Sequence, residues 1–386
     1  MGSTLRPYLG AAAVEKFPGV FTREDDLARV KVERHLALGK PYSPTMKDEQ
    51  PELEPHWHTL AAQVREAEEL GYDTVVMSET EHDPFLTLAV AAQQPALIEL
   101  MTGIALAFPR SPTTVAYAAW DLQRMSGGRF VLGLGSQVKG HIERRFGIAW
   151  LPAATRMKEY IEALRSVWKC WQDGGPLFYD GEIYKLSLMT PTFSPPPQQP
   201  QHARIPIHIA AVNAAMLRVA GEVADGVRLH GIVTRKYMDE VAFPNLRLGA
   251  ERAGRSLHDL EIAGGAFLVT GKDETEVQQA FEEARSTVAF YGSTRTYRVS
   301  FELEGWVDQS QQLHRLSVEG KWDQMAAVVS DEMVEAFSVV GTYDQIAARM
   351  RTRLAGCTRF ALDMRTRTDQ ERGIAREIIQ DLHHAW

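Results

Sequence analysis

Short apolar runs alternate along the chain with segments of helical periodicity. Residues 32–38, 74–78, 99–108, 130–135, 207–211, 227–230, 260–269 and 359–363 read as strands. Between them lie helical patterns. Residues 56–70 place Trp57, Leu60, Val64 and Ala67 on one face, with Gly71 as a stop. Residues 84–93 form a second helix, and 112–125 a third with Pro at its start. The clearest has Met157, Tyr160, Ile161, Leu164, Val167, Trp168 and Trp171 at helical spacing. Helices follow over 213–224 and to about residue 254, and Val277, Phe281, Ala284 and Val288 mark another. Thr342-Tyr343-Asp344-Gln345 reads as a capping box opening a helix with Ile346, Met350 and Leu354, and 370–382 closes the chain.

Eight strands alternating with helices predict an α/β fold, a (β/α)8 TIM barrel. A doubly wound sheet has fewer strands and a glycine-rich turn after the first, and Leu38-Gly39-Lys40 offers no such turn. Residues 1–29 read as an N-terminal extension and 30–386 as one domain, interrupted by insertions at 174–205 and 292–335.

Composition narrows the function classes. The chain has 386 residues, 45% hydrophobic and 24% charged, as in an ordinary folded protein. Its formal charge of −8 gives no general reason to bind nucleic acid or an anionic membrane. Two cysteines, Cys170 and Cys357, cannot make a disulfide framework and fit a reducing, cytoplasmic setting. No secretory signal is visible, and the most apolar stretch, 85–108, is broken by Gln93, Gln94, Pro95 and Glu99, so no membrane span is expected.

In a barrel the chemistry belongs at the carboxyl ends of the strands. Asn213 opens a helix after strand five with small residues behind it. It is a good N-cap, and the amides there could also hold a phosphate. Strand two ends in Ser78-Glu79-Thr80-Glu81-His82-Asp83, which could do acid–base work or simply be a solvated loop. His230 ends strand six. No metal site is expected: His56 and His58 diverge on a helix, and there is no H-E-x-x-H, C-x-x-C, P-loop or G-x-S-x-G.

The segment Leu122-Gln123-Arg124-Met125-Ser126-Gly127-Gly128-Arg129-Phe130-Val131-Leu132-Gly133-Leu134-Gly135 is distinctive. With Gly103-Ile104-Ala105 and Ala220-Gly221-Glu222-Val223-Ala224-Asp225-Gly226, it resembles the bacterial luciferase-like family over roughly residues 30–364. Glu79-Thr80-Glu81-His82-Asp83-Pro84-Phe85, His141-Ile142-Glu143-Arg144-Arg145-Phe146-Gly147 and Ala289-Phe290-Tyr291-Gly292-Ser293 resemble the branch that uses the deazaflavin coenzyme F420. The resemblance implies an oxidoreductase binding F420 or, alternatively, FMN. It implies a cis Gly103–Ile104 bond bulging toward the cofactor ring. Ala105, Ser136 and Gln137 would lie near the cofactor, and Ala211, Val212, Asn213, Ala214 and Ala215 would hold its phosphate. Glu79 and Thr80 would approach the reactive ring, with His230 lining the pocket. Sugar-phosphate dehydrogenases of this group carry a glutamate where Val138 stands, so the acid–base candidates are Glu79, His82 and His230. Lys139, Arg110 and Arg144 are available for the anionic tail of the deazaflavin.

Three functions follow as expectations: hydride transfer between F420 and a small organic substrate, oxygenation by reduced FMN from a separate reductase, or a non-catalytic flavin-binding barrel. The expected partners are a small-molecule substrate, a flavin or F420 reductase and further copies of the chain. Residues 190–206 and 292–335 could form a lid over the mouth or an oligomer contact.

Overall fold

The computed structural model describes residues 29–36 and 57–384. The helix expected from residue 56 is an α-helix over Leu60–Leu70, preceded by a 3-10 turn at Trp57–Thr59. The extension, the end of the first strand and the Leu38-Gly39-Lys40 turn lie outside the described residues.

The described residues form thirteen strands: β1 Lys31–His35, β2 Thr74–Met77, β3 Glu99–Thr102, β4 Ala105–Leu106, β5 Phe130–Gly135, β6 Tyr179–Asp180, β7 Lys185–Leu186, β8 Ile207–Ala210, β9 Gly226–Arg228, β10 Glu261–Gly264, β11 Phe267–Gly271, β12 Ser338–Thr342 and β13 Arg359–Ala361. Eight of them close a parallel barrel in the order β1-β2-β3-β5-β8-β9-β10-β13, and β13 pairs back to β1. The (β/α)8 barrel expected from the alternation is therefore the observed fold. Helices such as Pro112–Met125, Ala153–Asp173 and Ala214–Val223 cover its outside.

The pleat is used in an unusual sense. In β1, Val32 is buried outward against the helices, while Lys31 and Glu33 face the barrel axis. The same alternation puts Glu99, His208, Arg228, Glu261 and Arg359 inside. Arg359 is fully buried and bonds Glu33 at 3.2 Å, Glu99 at 2.7 Å and Glu261 at 2.6 Å. Lys31 reaches Glu99 and Glu261, and Arg228 pairs with Glu33 at 2.8 Å. Burial alone would push the Glu33 carboxyl up, but Arg228 and Arg359 bring it down to about 2. This charged layer plugs the amino-terminal half of the barrel. Among the described residues, Val76, Met101 and Val131 make a small apolar layer inside.

Two expected strands are each divided. Residues 99–108 break between β3 and β4. Leu100 and Met101 pair with Phe130 and Val131, whereas Ala105 and Leu106 pair with Leu134 and Gly135. Four steps along one strand thus oppose three along the other, which is a one-residue bulge. The peptide bonds of the described residues, Gly103–Ile104 included, are all trans, so the cis bond implied by the resemblance is corrected. The extra residue itself displaces the chain. Residues 260–269 divide into β10, in the barrel, and β11, which leaves it to pair with β12. Gly265 stands at this exit, where a Cβ would lie 2.0 Å from the His230 carbonyl oxygen.

The insertions differ in role. Residues 190–206 run along the helix Pro112–Met125, and their carbonyls take its side-chain donors. Trp120 Nε1 and Arg124 donate to Pro196, Gln123 to His202, and Tyr117 to Phe193. This segment is a strap on the outer wall, so of the two alternatives, lid or oligomer contact, the lid is corrected. The segment 292–335 folds into short helices around a second core of Phe281, Val288, Phe301, Leu313 and Phe337, shared with β11. The helix Tyr343–Arg353 starts where the sequence predicts, but the Thr342 side chain makes no capping bond. Capping boxes form instead at Ser256 and Asp259, and at Thr368 and Glu371 before the last helix.

Candidate active site

The carboxyl ends of the barrel strands bring together His35, Ser78, Gly103, Gly135, His230 and Asp363. Three glycines flatten this floor. A Cβ on Gly135 would lie 2.5 Å from Ile104 Cδ1, one on Gly133 2.0 Å from the Thr102 oxygen, and one on Gly103 2.6 Å from Ser78 Oγ. Ile104 therefore seats directly over Gly135, forming a ledge with almost no relief around it.

The ledge is clamped from beneath. Glu79 Oε2 accepts from the Leu106 amide at 2.8 Å, and both Glu79 oxygens accept from Arg110 Nη1. Arg110 also donates to the Leu106 carbonyl and to Asp83 at 2.7 Å. Burial works against the Arg110 charge, but the bonds to Glu79 and Asp83 raise its pKa further. Asp83 in turn caps the helix Pro84–Ala92 through the amides of Phe85 and Leu86. Glu79 thus sits where the sequence places it, at the mouth, with its charge committed to Arg110. Arg110 is correspondingly unavailable for a cofactor tail.

His82 lies at the rim, edge-on to Trp57 at 5.5 Å. His230 is packed between aromatics, and its Nδ1 accepts the Ile232 amide at 3.1 Å. That bond puts the ring proton on Nε2. Burial lowers its pKa to about 4, so the ring is neutral at physiological pH and donates without carrying charge.

The group that sequence reasoning missed is His35. Its backbone amide donates to Asp363 Oδ1 at 2.9 Å, and its Nδ1 lies 2.7 Å from Asp363 Oδ2. The Asp363 carboxylate raises the His35 pKa against the opposing effect of burial. Burial opposes ionisation of Asp363 too, but the charge and hydrogen bonds of His35 hold it below the usual range. A carboxylate on Nδ1 orients the ring and leaves Nε2, which has no hydrogen-bond partner among the described residues, as the working nitrogen. The sequence signal was the alternation of Lys31, Glu33 and His35 on one face of β1, which becomes legible only once that face is known to be the inside.

At the end of β5, Gln137 takes a left-handed conformation with φ of 57°, and its Oε1 accepts the Val138 amide at 2.8 Å. Ser136 Oγ donates to the Gln137 carbonyl. The turn after β8 runs through Ala211 and Val212 to Asn213, whose Oδ1 caps the helix Ala214–Val223 at Met216. Tyr237 anchors this turn through the Val212 carbonyl. The first turn of that helix holds Ala214 and Ala215 and no acidic residue, so nothing there repels an anion. Lys139 is 3.8 Å from Glu143, an exposed pair of little strength, and Arg145 reaches toward the Thr80 carbonyl. A cleft of about 460 Å³ lined by Arg165, Trp168, Arg204 and Asp225 lies at the opposite, amino-terminal end of the barrel. Arg165 and Arg204 are paired with Asp225, and the cleft shares no residue with the mouth.

Among the described residues no group of histidine, cysteine and carboxylate side chains could hold a metal, and no helix is long and apolar enough to cross a membrane.

Comparison with known proteins gives this mouth a context. The sequence profile of the family described as luciferase-like monooxygenase matches residues 39–357. An uncharacterized protein of Mycobacterium tuberculosis is 44% identical over 301 residues, covering 78% of this chain and 88% of that protein. The 5,10-methylenetetrahydromethanopterin reductase of Archaeoglobus fulgidus is 30% identical over 339 residues, covering 84% and 96%. The solved structure of the coenzyme F420 dependent tetrahydromethanopterin reductase of Methanopyrus kandleri superposes with a TM-score of 0.71 at 24% identity, covering 91% of this chain and 98% of that one. An enzyme is therefore the reading that stands, and the expectation of a non-catalytic flavin carrier falls away. The chain belongs to the luciferase-like monooxygenase family and is an oxidoreductase.

Proposed function

We propose that the chain is a coenzyme F420-dependent oxidoreductase that moves hydride between the coenzyme and a small organic substrate. The observation that carries this reading is the His35–Asp363 pair, whose Nε2 has no partner among the described residues, at the edge of a glycine-flattened floor. The kinship with an archaeal reductase supports it. The mouth fits a planar ring: Gly103, Ile104 and Ala105 form the ledge on which one face would rest, with Ser136 and Gln137 beside it. The helix start at Ala211–Ala215 suits the coenzyme phosphate. When bound, F420 supplies a ring carbon that gives or accepts hydride.

The residues of this chain do the rest. The Glu79–Arg110 clamp keeps the ledge rigid, which preserves orientation. Asp363 holds His35 in one tautomer and favours its protonated form, so His35 Nε2 is placed to give or take the proton that accompanies hydride transfer. His230 stays neutral, with its Nε2–H available to donate. A separate reductase, a homo-oligomeric assembly and a cytoplasmic location belong to this same proposal.

The test is a fluorescence titration of the purified protein with F420 and with FMN in parallel. Micromolar binding of F420 alone is expected. Asn213→Glu should weaken it by placing a like charge at the phosphate site, while melting within a few degrees of the parent. Binding of FMN alone refutes the deazaflavin reading and favours oxygenation by reduced FMN. Unchanged affinity in Asn213→Glu places the phosphate elsewhere.

A further inference from the structure

Tyr297 of the segment 292–335, Tyr291 at the end of the preceding helix and Phe267 of β11 build an aromatic wall on one side of the mouth. Tyr297 lies on the His230 ring with centroids 4.3 Å apart and planes 26° from parallel. Tyr291 meets the same ring edge-on at 4.6 Å, and Phe267 stacks on Tyr291 at 6.0 Å. The packing is close: a Cβ on Gly231 would lie 2.9 Å from the Phe267 ring. The wall is fastened to the second core, whose Phe281, Phe301 and Leu313 are buried beneath it.

Two polar groups of this wall, on His230 and Tyr297, have no partner among the described residues. The His230 Nδ1 is taken by the Ile232 amide, which leaves Nε2–H as a donor. Neither that N–H nor the Tyr297 hydroxyl has a hydrogen-bond partner among the described residues, and neither is among their sealed polar atoms. A tyrosine set into an aromatic cluster ordinarily finds a partner for its hydroxyl. Here two neutral donors, carried on stacked rings, have no acceptor among the described residues.

We propose that Tyr297 and His230 are the substrate-recognition pair of this enzyme, and that they select a flat, uncharged carbonyl compound of the enone or quinone class. The aromatic faces supply contact area for a conjugated ring, and the two donors take its carbonyl oxygen. Both donors are neutral, so a carboxylate or phosphate would be desolvated there with no counter-charge, and the site disfavours it. This inference rests on the hydride-transfer reading for its meaning, but its binding step can be measured without coenzyme.

The probe is 1,4-naphthoquinone, with naphthalene-1-sulfonate as an anion of the same shape. Affinities are read by ligand-observed NMR on the full chain, alone and with oxidised F420, so that no turnover intervenes. The quinone is expected to bind at least ten-fold more tightly than the sulfonate. Tyr297→Phe, which keeps the ring and loses only an unpartnered hydroxyl, should weaken the quinone about five- to ten-fold, the scale of one hydrogen bond. Tyr297→Leu should abolish it. Melting temperature and F420 affinity should match the parent in Tyr297→Phe, which separates substrate recognition from damage to the coenzyme site. Equal quinone affinity in all three proteins, a preference for the sulfonate, or no quinone binding with or without F420 overturns the assignment. Failure of F420 to bind while the quinone still depends on Tyr297 overturns the coenzyme reading instead.

Discussion

Replacing Arg359 with methionine tests the charged plug of the barrel directly. Its guanidinium bonds Glu33, Glu99, Glu261 and Thr74 from a fully buried position. Removing one partner of a buried ion pair typically costs about 3–5 kcal/mol, because the remaining charge stays desolvated. Three carboxylates would lose their shared cation here, but each keeps another: Glu99 and Glu261 keep Lys31, and Glu33 keeps Arg228. Glu99 and Glu261 are also 28% and 34% exposed, so water screens them in part. The expected loss is therefore about 3 kcal/mol, at the low end of that range. Urea unfolding followed by tryptophan fluorescence and circular dichroism measures it, with Arg204→Ala as a control: Arg204 is exposed and Asp225 keeps Arg165, so the loss should be less than about 1 kcal/mol. The pH dependence gives a second check. In the parent, the depressed carboxyls of Glu33 and Glu261 stabilise the fold above their ordinary pKa, and that contribution is lost as pH falls toward about 2 for Glu33. In the variant those carboxyls titrate higher, so acidification toward pH 4 relieves them and the gap to the parent narrows. A loss below about 1 kcal/mol at pH 7, or a gap that widens on acidification, refutes the reasoning.

Two further substitutions test the mouth. Asp363→Asn removes the carboxylate that raises the His35 pKa, so the midpoint of the His35 ring signals in an NMR titration should move to lower pH. The stability that His35 contributes in the parent is complete below its unfolded pKa of about 6.5 and fades as pH rises through the folded value. That slope should flatten in the variant, and an unmoved midpoint contradicts the pairing. Glu79→Gln keeps an acceptor for the Leu106 amide but loses the charge on Arg110, so it should cost about 1–2 kcal/mol in thermal unfolding and weaken coenzyme binding together, by loosening the Ile104 ledge. Full stability with lost coenzyme binding would instead put Glu79 in direct contact with the coenzyme.

The sequence by itself determined the alternation of elements, and with it the barrel. Periodicity depends on local spacing, so Pro112–Met125 and Phe130–Gly135 are legible to the residue. Glycine and capping chemistry are equally local, which is why Asn213 is recognisable as the start of its helix. What depends on pairing across the sheet was not legible. The division of 99–108 is a difference of register against β5, and β12 exists because β11 leaves the barrel to meet it. Short apolar runs carry no label for the partner they will take. The tertiary structure also decided which face of each strand is the inside. Reading Lys31, Glu33 and His35 as a solvent face is natural until the barrel closes around them, and 328 residues separate His35 from Asp363. A proton-bearing pair assembled from the first and last barrel strands has no local signature, because the closure that unites them is a property of the whole sheet.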